Sequence, residues 1–527
     1  MRVSAFMLTA ALALSVSGES LVLSFVEKLM KKMVFAGFMA LAWAGMVGAD
    51  APTSTVFTNG ETVVFLGDSI TQQAHFIRFI TDFYLTRYPE RAIRWVNAGI
   101  AGNSMDGGKN CVSNDVAPYA PTTVAVMYGM NDAAAAGPYH EGYPDGKERE
   151  KQLNVAKHYV RNTSRLAERL REHVPQAKLL FLTPSIYESA RPDAKGRPVN
   201  PGWNGTLGLY SEFLRAAAAT GAWEVADIHS PMTAFNRAQQ EINPKFSAVS
   251  PDDRVHPNVG GGFFMAGSFL KAQGVSPVVS DITLDAAAVT TVRAENAEVS
   301  ALKKTADGYV FTVLEKALPF PVAKDAGTIA CRIPFRSELN RERFRVKGLA
   351  KGLWTLAIDG EEVYTASSGE FGFGVDLGRN DATPQMRQAS KVTALNRERH
   401  ACEAELRAWA SVRWWLALTR RVADPDDMEQ VKDWASKNDL TAGWYQKNVL
   451  SYIGNWPKRA ETRAKIDAMD RELDALRKPV PHVWTLRLRK EGEVLLKARD
   501  LSPAEGQIQI QSEGHGVEIR RITIKPL

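Results

Sequence analysis

Thr62-Val-Val-Phe-Leu66 runs without interruption into Gly67-Asp68-Ser69-Ile70. The first five residues read as a strand buried on both faces, because they are apolar or β-branched with no polar alternation. Gly67 and Asp68 then mark the turn into a helix.

Outward from this stretch the pattern repeats. Thr71 to Tyr88 has helical spacing and ends near Pro89, and Ile93 to Asn97 and Thr123 to Tyr128 are strand-like. Arg149 to His173 reads as a long helix, Lys178 to Leu182 as a buried strand and Leu207 to Thr220 as a helix. Trp223 to Ile228 completes the strands, and Gly261 to Gln273 is a final helix. Continuous apolar strands separated by helices predict an α/β domain over residues 55–275, with a parallel sheet covered on both faces.

Periodicity changes after Ser276. Residues 276–383 form a β-rich segment, with strands at Tyr309–Val313 and Leu353–Ile358, the latter turning at Asp359-Gly360. Residues 384–478 are helical, and Asp424-Pro425 has the chemistry of a helix start. Trp409, Trp414, Trp415, Trp434 and Trp444 in this segment are expected to pack as core rather than form a ligand platform. Residues 479–527 return to strand-like alternation.

Composition narrows the function classes. A chain of 527 residues exceeds one ordinary domain, and 45% apolar with 24% charged residues is the balance of a globular protein. The net charge of +6 is small, and basic and acidic residues interleave, as in Arg459-Ala-Glu461. That pattern describes a solvated helix face, and no nucleic-acid partner is expected. The three cysteines, Cys111, Cys331 and Cys402, lack metal-ligand spacing and are expected to be thiols packed as small apolar residues, with one bridge still possible. No metal or cofactor is expected.

The N-terminal residues 1–49 read as a leader. Lys31-Lys32 precede an apolar run from Met33 to Val47, then small residues to a cleavage point near Ala49. Translation from Met30 would explain the weaker apolar stretch before it, and a membrane anchor is the alternative. No uncharged run there reaches the roughly 20 residues of a spanning helix. Secretion or a periplasmic location, without a stable membrane partner, is the expectation.

Four segments carry chemistry, all in the loops that follow expected strands, where open α/β sheets bind ligands. Ser69 opens a helix, where exposed amides favour developing negative charge; the plainer reading is a helix cap. Asn97-Ala-Gly99-Ile-Ala-Gly102-Asn103-Ser104 offers glycine backbone to a ligand. Gly129-Met-Asn131-Asp132 puts an amide at the sheet mouth, although Asn and Asp also favour ordinary turns. Asp253-Arg-Val-His256-Pro257 could supply a base and the carboxylate that fixes its tautomer; alone it would be a surface histidine. Other candidates are weaker: His75 should face away on a regular helix, His229 has no carboxylate three residues earlier, and Asp252 is out of phase.

Taken in order, GDSI, NAGIAGNS, YGMND and DDRVHPN resemble the four sequence blocks of the SGNH (GDSL-type) hydrolase superfamily. The resemblance covers about 220 residues, with Ile70 where the family commonly has Leu. It implies a flavodoxin-like three-layer fold and a serine esterase. Ser69 would be the nucleophile, with His256 the base oriented by Asp253. Gly102 and Asn131 would join the Ser69 amide in the oxyanion hole. The last residues, from Gly506 onward, resemble the closing strands of keto-disaccharide-hydrolase-like β-sandwich domains, which hints at a polysaccharide-degrading setting. The expected substrate is therefore a small ester or an O-acetylated glycan. A lipid-directed esterase or lysophospholipase, and a non-catalytic carbohydrate-binding protein, are the alternatives.

Overall fold

The structure, a computed structural model, describes residues 53–134, 147–190, 196 and 201–489. The leader and the tail from Gly506 lie outside the described residues.

The first unit is built on β1 (Thr62–Gly67), β2 (Arg94–Gly99), β3 (Thr123–Met127), β4 (Lys178–Leu182) and β5 (Glu224–Ala226). They form one parallel sheet in the order β2-β1-β3-β4-β5. Val63, Val64, Phe65 and Leu66 of β1 are at most 1% exposed, which is why this strand reads as a continuous apolar run. Helices cover both faces: α1 (Ser69–Gln73), α2 (His75–Arg87), α3 (Met105–Cys111), α4 (Met130–Ala134), α5 (Lys147–His173), α6 (Pro201–Ala218), α7 (His229–Ile242) and α8 (Val259–Ala272). This is the three-layer α/β architecture expected from the sequence.

There are two local differences. The expected helix from Thr71 is split, because Ala74 adopts the left-handed region at φ 58° and separates α1 from α2. Gly262 of α8 lies against the backbone there, with room for a Cβ only 2.5 Å from His75 Cβ. Helix α7 was not expected from the sequence; of its residues His229, Met232 and Asn236 are buried, two of them polar.

The second unit is a β-sandwich. Strands β6 (Val278–Asp285), β7 (Thr290–Glu295), β8 (Ala297–Lys304) and β9 (Gly308–Glu315) come first. After short helices α9 (Gly327–Ala330) and α10 (Phe335–Leu339) come β10 (Arg341–Lys347), β11 (Leu353–Ile358), β12 (Glu361–Ser367), α11 (Ser368–Phe373) and β13 (Val375–Asp376). The β11–β12 turn has both central residues at positive φ, Asp359 at 50° and Gly360 at 84°, the geometry that Asp-Gly favours.

A helical unit follows: α12 (Pro384–Leu418), α13 (Met428–Ser436), α14 (Trp444–Asn455) and α15 (Arg459–Leu476). Helix α13 does not start at Asp424-Pro425. The Asp424 carboxylate instead accepts the Asp426 amide in a turn, and Asp427 caps the helix through the Glu429 and Gln430 amides. Trp409 and Trp415 are buried in a core of this unit, as expected, whereas Trp444 is 45% exposed.

The chain then returns to the sandwich. Strand β14 (His482–Leu488) lies between β9 and β11, giving the order β12-β11-β14-β9-β8 opposite the sheet β13-β10-β6-β7. Its Trp484 is 1% exposed and meets Phe344 of the facing sheet at 5.2 Å between centroids. The division at residue 479 drawn from the sequence thus runs through one sheet, and the helical unit is an excursion between two of its strands. Of the cysteines, Cys111 is buried, Cys402 is partly buried and Cys331 is exposed, and none is paired; the expectation of three packed thiols fails at Cys331.

Helix α12 closes the open edge of the parallel sheet. Arg399 donates to the Trp95 carbonyl at 3.0 Å, Glu403 accepts the Asn97 amide at 2.9 Å, and Arg407 donates to the Gly99 carbonyl at 3.1 Å. Four residues of helix advance about 6.0 Å and two residues of strand about 6.6 Å. Side chains four apart on α12 therefore keep step with outward-facing backbone groups two apart on β2, satisfying an edge that would otherwise be exposed.

Candidate active site

Asp68 and Ser69 sit where β1 ends. Asp68 is buried and caps α1, its Oδ1 accepting the Ile70 amide at 3.0 Å. Ser69, the first residue of the helix, is half-buried with its hydroxyl directed to His256. Gly67 admits no side chain, since a Cβ would lie 2.6 Å from the Met127 carbonyl. Burial raises the Asp68 carboxyl to about 6, against the lowering effects of the Ile70 amide and His256.

His256 reaches this point from the loop before α8. Its Nε2 is 2.7 Å from Ser69 Oγ, and its Nδ1 is 2.6 Å from Asp253 Oδ2. The other carboxylate oxygen, Oδ1, accepts the Val255 and His256 amides at 2.9 and 3.0 Å. Arg254 makes the turn possible by adopting φ 66°, a costly conformation for a long side chain. The Arg254 carbonyl accepts the Glu188 amide and its guanidinium lies over the Tyr187 ring, so both ends of the residue are held.

The electrostatics of the pair are directional. Burial alone would lift the Asp253 carboxyl, but the His256 ring and the two amides outweigh it and bring it down to about 2. Burial depresses His256, yet the hydrogen bond and charge of Asp253, with Asp68 behind, leave it above the ordinary histidine value. Asp253 is therefore an anion next to a ring that gains stability on protonation.

Gly102 is exposed in the loop after β2, at φ 69°, a conformation that suits glycine. Asn131, at the start of α4, donates one amide hydrogen to the Asn103 carbonyl at 2.7 Å, which ties this loop to the third motif. The Asp132 carboxylate accepts the Met105 amide on the same loop. No hydrogen-bond acceptor for the Ser69 or Gly102 amide is present among the described residues.

The remaining candidates lie elsewhere. His229 is buried, pushed down to about 4 by burial, and lines a groove between α6 and α7 with Glu212, Arg215 and Arg237. Asp252 is exposed on the loop. His75 packs against Gly262 of α8. One neighbour of the site had no counterpart in the sequence reading: Tyr445 of α14, whose hydroxyl donates to the Ala101 carbonyl. No local pattern marks it, since 344 residues separate the two.

Comparisons with known proteins bear on the family of this unit. Residues 65–261 match the sequence model of the GDSL-like lipase/acylhydrolase family. An acetylxylan esterase of Geobacillus stearothermophilus is 26% identical over 232 residues, covering 41% of this chain and 95% of that protein. A solved structure of a gut microbial diltiazem-metabolizing enzyme is 27% identical, with TM-score 0.76, covering 84% of this chain and all of that one. That similarity extends well beyond the parallel-sheet unit. Residues 65–261 of this chain are accordingly a GDSL-like hydrolase domain of the SGNH superfamily.

Proposed function

We propose that this protein is a serine ester hydrolase that removes O-acetyl groups from carbohydrate. One observation carries the reading: a hydroxyl, an imidazole and a carboxylate connected by contacts of 2.7 and 2.6 Å. Ser69 attacks the ester carbonyl while His256 takes its proton, and Asp253 holds the ring in the tautomer with Nδ1 protonated. The Ser69 and Gly102 amides and the second Asn131 amide hydrogen receive the oxyanion. Return of the proton expels the alcohol, and water activated by the same histidine releases acetate.

The acetyl and carbohydrate parts of the proposal rest on the likeness to the acetylxylan esterase and on the sequence resemblance of the residues from Gly506 onward to the end of keto-disaccharide-hydrolase-like domains. Action outside the cytoplasm follows from the leader reading. Among the described residues no helix is long and apolar enough to cross a membrane.

The test is acetate release from a panel of acetylated glycans by wild type and Ser69→Ala, with fluorophosphonate labelling of both. Release and labelling by wild type alone support the proposal. Activity retained in Ser69→Ala would sink it. Rates on p-nitrophenyl esters that climb from acetyl to octanoyl would instead assign the site to lipid esters.

A further inference from the structure

The peptide joining Ala101 to Gly102 is gripped from the helical unit. A trans peptide is planar, so the Ala101 carbonyl and the Gly102 N–H belong to one rigid group and point in opposite directions. The Tyr445 hydroxyl donates to that carbonyl. A Cβ placed on Gly102 would lie 2.9 Å from the same hydroxyl oxygen, so the tyrosine tip sits directly against the residue. The neighbouring Ala101 amide is tethered as well, donating to Gln72 Oε1 at 2.7 Å. Ser411 of α12 donates to that same oxygen at 2.5 Å.

We infer that Tyr445 is a positioning residue for the oxyanion hole, fixing the Ala101–Gly102 peptide so that the Gly102 N–H faces the charge formed when Ser69 attacks. The inference rests on the esterase reading above and deepens it. Glycine readily exchanges between backbone wells, so an exposed loop at Gly102 needs an external hold. A hydrogen bond accepted at one end of a peptide also polarises the N–H at the other, by about 10–30% of a bond's strength. That gain grows as negative charge develops, so it acts on the transition state more than on bound substrate.

The supports of Tyr445 are built for rigidity. Its ring stacks on Trp415 at 5.4 Å and an interplanar angle of 2°, and Trp444 packs on it edge-on at 5.2 Å. Burial pushes the phenol up to about 12, so it remains a donor through the neutral range. Four residues before Ser411, Arg407 continues the hold at Gly99 and pairs with Asp115 at 3.0 Å. The family match ends at residue 261, so this hold on the oxyanion loop comes from outside the matched segment.

Tyr445→Phe tests the inference, because it removes the hydroxyl and keeps the stacked ring. On p-nitrophenyl acetate, kcat should fall about tenfold, short of the about 10²–10³ expected for losing a whole donor, with KM within about twofold. Inhibition by an alkylboronic acid, which forms a tetrahedral anion on serine, should weaken by the same factor as kcat. Ser411→Ala, which loosens the other tether, should show the same split and decides the matter if Tyr445→Phe does not fold. Leu450→Ala, on the exposed face of α14, should match wild type. An unchanged kcat in the folded variant, or a loss confined to KM, overturns the role of Tyr445. If Ser69→Ala remains active, the esterase reading itself fails, which is a separate outcome.

Discussion

The Nε2 of His256 stands 2.7 Å from the Oγ of Ser69, a residue 187 positions earlier in the chain. The contact joins the first motif of the domain to the last. It exists because the turn through Arg254 carries the imidazole back over the end of β1.

This pairing sets the pH dependence. In the proposed mechanism His256 takes a proton only when neutral, and Asp253 lifts its pKa above the usual value near 6.5. Ester hydrolysis, read as kcat/KM, should therefore rise with pH through a midpoint above that value and then level off. Asp253, held at about 2, stays ionised throughout. Asp253→Asn should lower kcat by about 10⁴, the scale of losing a triad carboxylate, and shift the midpoint downward. A variant whose midpoint does not move would contradict the assigned pairing.

Asn131→Ala separates transition-state from ground-state binding. Loss of one oxyanion donor should reduce kcat by about 10²–10³ with little change in KM. Some of that loss will come through the loop, because Asn131 also holds the Asn103 carbonyl. Steady-state kinetics on an acetyl ester checks the split, and a rise in KM with unchanged kcat is the contrary result.

Arg399→Met tests the seam between α12 and the sheet. Arg399 and Glu403 are nearly buried and pair at 3.2 Å, and each also binds the β2 backbone. Removing the cation leaves Glu403 buried and uncompensated, which should destabilise this seam by about 3–5 kcal/mol. Urea unfolding followed by tryptophan fluorescence should show an earlier transition. A midpoint equal to that of wild type would mean that the edge contacts contribute little.

The α/β class was legible in the sequence because strands buried on both faces must be continuously apolar, as Val63 to Leu66 are. Candidate residues such as Ser69, Asp253 and His256 were nameable because short loops keep their chemistry within a few positions. The split of the first helix at Ala74 left no such mark: it lies where Gly262 of α8 packs closely against His75.

Sequence alone determined most of the local elements and which side chains have the chemistry for acyl transfer, since both follow from periodicity and residue type over short distances. Tertiary structure decided the rest. Only folding brings β14 between β9 and β11, sets Arg399, Glu403 and Arg407 in step with the β2 edge, and lands the Tyr445 hydroxyl on the Ala101 carbonyl. The physical reason is that these contacts join residues from over a hundred to more than three hundred positions apart, and hydrogen-bond geometry at that separation is fixed by packing, which no local pattern encodes.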